Sequence, residues 1–267
     1  MTIPTSTCIN TQFEQQGFFS PVTFMSTERA EETVQRLERL QQKTLQHFGQ
    51  IHRFKLHLLE KWLFDIITDP AILDTVEQIL GPDILCWSSD VFSKPAHTKN
   101  FVSLHQDITY AGLTPHEHIV NIWLALTPSN SQSGCLQVVP GTHKLGQLNH
   151  KQTNNEENLL FFGQTVELRD NASQIVDMEL QPGQASLHHM AVVHGSQPNQ
   201  SDLPRTGLVL RYIRPDVVQC KAADSATLVR GKDEFSHFMH EPKPETDWSD
   251  EAISAFELAL QRPSALG

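Results

Sequence analysis

The chain has 267 residues, a length that all-β barrels with added helices often reach as a single unit, and it carries a net charge of −11. With Lys and Arg totalling 20 and no basic run, the composition argues against nucleic acid or an anionic membrane as partner. Four Cys without a Cys-x-x-Cys spacing suggest neither a zinc knuckle nor a disulfide framework and fit a reducing compartment.

The first residues, Met1 to Thr7, lack a basic region followed by an apolar one, and no apolar run approaches the length of a bilayer span. A cytoplasmic protein is expected. After an extended lead-in around Phe18–Pro21, residues 26–48 read as a helix: Ser26 or Thr27 can cap it, and Ala30, Val34, Leu37 and Leu40 recur at helical steps. A second helix is expected over 58–67. A third is bounded by Asp69 as cap, Pro70 at the first position and Gly81-Pro82 as the stop.

From Ile84 the period changes to two. Strands are expected at 84–92, 101–107, 118–126, 135–139 and 207–213, with no helix between successive ones. That order predicts an antiparallel double-sheet jelly roll, one domain over 1–267, with 26–80 as a helical buttress and 83–220 as the core. Residues 141–181 form a long polar insert, read as a lid at the substrate entrance, and 221–267 are a C-terminal extension. The extension ends in a helix started by Ser249-Asp250-Glu251 and stopped at Pro263.

One stretch bears chemistry. In a strand over 101–107, His105 and Asp107 would project from the same face. With His194, far downstream, they make a 2-His-1-carboxylate facial triad, the ligand set of non-haem Fe(II). Arg205 follows His194 by eleven residues at the start of a strand-like run. Its planar fork can take a dicarboxylate co-substrate bidentately, with Ser196 adding a hydrogen bond. Asn121 and Trp123 share one strand face that suits a cavity wall, and Arg211 is expected to point into the same cavity.

These residues carry a resemblance. His105-Gln106-Asp107, Trp123, the run Gly134 to His143, and His194-Gly195-Ser196 through Arg205 are similar to the motifs of the phytanoyl-CoA dioxygenase family of Fe(II)/2-oxoglutarate-dependent oxygenases, in its bacterial small-molecule branch. The resemblance covers roughly residues 83–231. It implies a double-stranded β-helix, cupin-like, with iron on His105, Asp107 and His194. It also implies 2-oxoglutarate held at its far end by Arg205 and Ser196, with Trp123 and Gln106 against it, and O₂ as the oxidant. Strict alternation turns Gln106 away from His105, a conflict that a bulge could reconcile.

The expected activity is hydroxylation of an unactivated C–H bond of a small molecule, with succinate and CO₂ as co-products. The similar aliphatic halogenases lack the carboxylate at the position of Asp107, so its presence here favours hydroxylation. Arg211, Asn121, Lys94 and His237 are the candidate substrate residues. Two alternatives stand beside this reading: a cupin-like dioxygenase or hydrolase using the same ligands without 2-oxoglutarate, and a metal-binding pseudoenzyme. Succinate formation coupled to O₂ uptake separates them.

Overall fold

The computed structural model describes residues 6–153, 155–160, 163–167 and 174–262. In chain order the elements begin with α1 (Ser6–Gln16), β1 (Phe18–Thr23), α2 (Thr27–Phe48), α3 (Lys61–Ile67) and α4 (Pro70–Leu80). Next come β2 (Ile84–Lys94), β3 (Val102–His105), α5 (Ile108–Ala111), β4 (Leu113–Thr114), β5 (Ile119–Ala125) and β6 (Leu136–Val139). The chain continues with β7 (His150–Gln152), β8 (Gln164–Val166), β9 (Val176–Met178), β10 (Gln184–His189), β11 (Val193–Ser196) and β12 (Arg205–Ile213). It closes with β13 (Val218–Gln219), β14 (Ser225–Arg230), β15 (Met239–His240) and α6 (Asp250–Leu260).

The helices start and stop where local chemistry dictates. Asp69 accepts the Ala71 N–H at 3.0 Å ahead of Pro70, and Gly81 leaves the helix at φ 86°. Ser249 caps α6 through the Ala252 N–H at 3.2 Å. The stop assigned to Pro263 lies outside the described residues. The helix expected over 58–67 is shorter, because Glu60 is extended and serves as the N-cap of α3. Helix α1 had no strong periodic signal in the sequence.

Two compact units divide the chain. The first holds the described residues up to Val34, Phe92–Tyr110 and Ile122–Gly207. It contains the sheet β3-β11-β6-β9 and, facing it, β1 and β10 with the adjoining ends of β5, β12 and β2, the jelly-roll arrangement that the strand pattern predicts. Phe18, Val138, Met178 and Val192 pack between them. Leu104, Val139 and Val193 turn to the other side of the four-stranded sheet, where Leu148, Val166 and Ile175 cover them.

That covering comes from the 141–181 insert. Its described part is largely a cover for the outer face of the sheet: β7 and β8 form an antiparallel hairpin, and β9 pairs with β6. Asn158 of the insert also binds the four-stranded sheet, donating to Ser103 Oγ at 2.9 Å.

The second unit holds Gln35–Val91, Ala111–Asn121 and the described residues from Leu208. Here β2 pairs antiparallel with β14, and Tyr212 donates to the Ile67 carbonyl at 2.9 Å, fixing α3 to its sheet. At its centre Lys55 pairs with Glu241, both buried, and Glu241 also accepts from Ser225 and Thr227. Burial alone would raise the Glu241 carboxyl, but the charge of Lys55 and its contact with His57 outweigh burial and hold it at about 2.

Candidate metal and co-substrate site

Strand register builds the site in the first unit. β11 runs antiparallel to β3 with His194 opposite His105, so both imidazoles emerge on the inner face with ring centres 4.2 Å apart. Gly195 permits this close pairing, since a Cβ there would lie 2.7 Å from the Val102 carbonyl oxygen. His188 on β10, from the facing sheet, brings its ring to 5.0 Å from His194.

Asp107 reaches the same point by a route that alternation did not foresee. β3 ends at His105, and Gln106 and Asp107 turn the chain into α5, with the Tyr110 N–H bonded to the Asp107 carbonyl at 3.3 Å. The turn carries the carboxylate back beside the imidazole. Asp107 Oδ1 lies 3.3 Å from His105 Nε2 and 3.7 Å from His194 Nε2. Tyr110, a residue that the sequence reading missed, donates its phenol to the same Oδ1 at 2.7 Å and stacks on His105.

The three side chains are buried and offer ligand atoms all within 4.8 Å of one another. Each imidazole is fixed in one tautomer: His105 Nδ1 donates to the Ser103 carbonyl at 2.8 Å and His194 Nδ1 to that of Val192 at 3.0 Å. Nε2 is therefore the unprotonated nitrogen of each ring, the one a metal takes in the usual outer-shell arrangement of ligating histidines. Two adjacent ligands about 2.1 Å from an octahedral ion sit roughly 3 Å apart, so the donor set fits a ferrous ion with little movement.

Arg205 begins β12 and is 2% exposed. Its guanidinium lies over Trp123 at 4.7 Å and Phe92 at 5.7 Å from the ring centres. Among the described residues no carboxylate pairs with it, its Nε has no hydrogen-bond partner, and burial lowers it to about 10. A buried cation without a counter-ion is costly. The Trp123 indole N–H is likewise buried without an acceptor among the described residues. Room for the indole comes from Gly207, where a Cβ would lie 2.7 Å from the ring.

The remaining sequence candidates change role. Lys94, read as a substrate residue, is fully buried and gives its Nζ to Ser196 Oγ at 2.7 Å, the Ser196 carbonyl at 3.2 Å and the Gln197 carbonyl at 2.5 Å. Gln106, placed by resemblance against the co-substrate, is spent on the backbone. It donates to the carbonyls of Gly146 and Ala191 and accepts the Leu148 N–H at 2.8 Å, the outward direction that alternation requires. In the second unit Arg211 is paired with Asp90 and donates to Ser88, which cancels its appeal to an anionic substrate. Asn121 is buried on β5, whereas His237 is exposed beside Phe235.

Comparison with known proteins identifies the family. The family model of phytanoyl-CoA dioxygenase (PhyH) matches residues 13–207. The peroxisomal phytanoyl-CoA dioxygenase of Bos taurus is 33% identical over 144 residues, 52% of this chain and 42% of that protein. The chain spans about half the length of the curated relatives it matches. Among solved structures, the apo form of the non-heme monooxygenase ThoJ superposes with a TM-score of 0.86 at 32% identity, covering 96% of each chain. CytC3, solved with Fe(II) and alpha-ketoglutarate, shares the fold at 23% identity and a TM-score of 0.64, covering 88% of this chain and 91% of its own. The chain belongs to the phytanoyl-CoA dioxygenase family.

Proposed function

We propose that this member of the phytanoyl-CoA dioxygenase family is an Fe(II)- and 2-oxoglutarate-dependent dioxygenase that hydroxylates an unactivated C–H bond of a small molecule. Succinate and CO₂ are the co-products. The observation that carries this reading is a tight two-imidazole, one-carboxylate cluster in the same unit as a buried guanidinium with no carboxylate of its own. Bound Fe(II), with 2-oxoglutarate and O₂, supplies the oxidising chemistry.

What the chain does is hold, orient and enclose. His105, Asp107 and His194 would take the metal on one side, leaving the opposite positions for co-substrate and O₂. The carbonyls of Ser103 and Val192 keep the two imidazoles from rotating away, and Tyr110 keeps Oδ1 of Asp107 in place. Arg205 takes the far carboxylate of 2-oxoglutarate through its fork, with Ser196 as a second donor. Trp123 and Phe92 back the guanidinium and keep water from it, so the ion pair forms in a medium where it is strong. Asp107 fills the place that a halide needs, which directs the outcome to hydroxylation.

The test is anaerobic titration of the Fe(II) protein with 2-oxoglutarate, followed by charge-transfer absorption, then admission of O₂ and measurement of succinate. Iron-dependent succinate formation in step with O₂ uptake is expected. A protein that binds iron yet neither binds 2-oxoglutarate nor forms succinate refutes the proposal.

A further inference from the structure

We infer that Lys94 is a positioning residue for the co-substrate: it fixes Ser196 as a hydrogen-bond donor, so that Ser196 and Arg205 grip the far carboxylate together. The inference rests on the function proposed above and extends it to a side chain that makes no contact with the guest.

The argument starts from hydrogen-bond capacity. A serine hydroxyl has one proton and two lone pairs, and by itself it can turn to donate or accept. Here Lys94 Nζ, an obligatory donor in its charged form, points at Ser196 Oγ from 2.7 Å. With Oγ accepting on that side, its own proton must go elsewhere, and among the described residues it has no acceptor. Ser196 is 4% exposed, so water does not stand in freely. The remaining two ammonium protons are committed to the carbonyls of Ser196 and Gln197, which use all three donors and leave Lys94 no reach towards a ligand.

Charge points the same way. Lys94 is fully buried with no carboxylate beside it among the described residues, and three oxygen acceptors suit the ammonium form. Burial first and the nearby Arg205 second bring it down to about 7. A buried ammonium that the nearby guanidinium destabilises makes this corner short of negative charge. A dianionic keto acid supplies it, whereas a ligand with no distal carboxylate does not.

The measurement is calorimetric binding to the Ni(II)-loaded full chain, which requires no turnover, with 2-oxoglutarate and with oxalate. Oxalate chelates the metal but has no far carboxylate. Lys94→Met is expected to weaken 2-oxoglutarate by about tenfold or more, the usual scale for a hydrogen bond to a charged group, and to leave oxalate unchanged. Ser196→Ala, which keeps both backbone acceptors of Lys94, is expected to give the same selective loss even where Lys94→Met does not fold. Equal loss for both ligands in Lys94→Met assigns it a purely structural role and overturns the inference, as does unaltered 2-oxoglutarate affinity in Ser196→Ala. Should the wild-type Ni(II) protein bind oxalate but not 2-oxoglutarate, the proposed function itself falls, and the inference with it.

Discussion

His150 Nε2 accepts the backbone N–H of Gln106 at 3.0 Å, joining the first strand of the 141–181 insert to the residue between two metal-binding candidates. His150 Nδ1 donates to the Leu148 carbonyl, which fixes the ring with its acceptor towards Gln106. The Gln106 side chain returns the contact by holding Leu148 and Gly146. The two segments brace one another.

Gln106→Ala removes partners from three backbone groups at once, of which the Ala191 carbonyl is buried, Leu148 is half-buried and Gly146 is exposed. A stability loss of about 1–3 kcal/mol is expected, the cost of leaving one buried group unpaired, because water can replace the partner at exposed Gly146. Urea denaturation measures it, and 2-oxoglutarate affinity of the folded protein stays as in wild type. Lost affinity at full stability would instead return Gln106 to the co-substrate site.

His194→Ala and Asp107→Ala each remove one of the three side chains proposed to hold the metal. Both are expected to purify with little bound iron and to form no hydroxylated product, as determined by metal analysis and mass spectrometry. Full activity retained by Asp107→Ala would show that the carboxylate is not a ligand.

Arg205→Ala is expected to raise the 2-oxoglutarate KM by roughly 100-fold while leaving iron affinity unchanged. Arg205→Lys should recover little, because a point charge cannot reproduce a planar fork stacked on Trp123. Neither variant should lose stability without ligand, since the guanidinium is buried without a carboxylate partner among the described residues. A KM unchanged in Arg205→Ala removes the residue from the co-substrate site.

Glu241 gives a pH signature. Its carboxyl sits at about 2 in the folded chain against an ordinary value of 4.5, so its contribution is complete above 4.5 and is lost as pH falls towards 2. The gap corresponds to about 3 kcal/mol. Denaturation midpoints taken at pH 6 and pH 3 should differ by less in Glu241→Gln than in wild type, and the variant should be the weaker protein at pH 6. An unchanged pH dependence would mean that other carboxylates govern acid unfolding.

Much of this molecule was legible in the sequence because its signals are local. The Asp69-Pro70 start of α4, the period-two runs of the sheets and the Ser249 cap of α6 each need only a few neighbouring residues to be read. The proposed iron ligands were legible as residue types but not as geometry: alternation put Asp107 on a strand that stops at His105, and a turn makes the convergence. Lys94 was misplaced for a physical reason. A lysine in sequence carries no mark of the three oxygens, all about a hundred residues downstream, that make its complete burial tolerable. Tyr110 gave no signal beyond its place three residues after Asp107.

The pairing of His194 with His105 across two strands has one more consequence. Neighbouring side chains on a strand face opposite ways, so a slip of β11 by a single residue would bring Val193 inward and send His194 out among Leu148 and Val166. The misaligned protein would retain its sheets yet have no ion-binding competence, which makes metal uptake a sensitive reporter of strand alignment during folding.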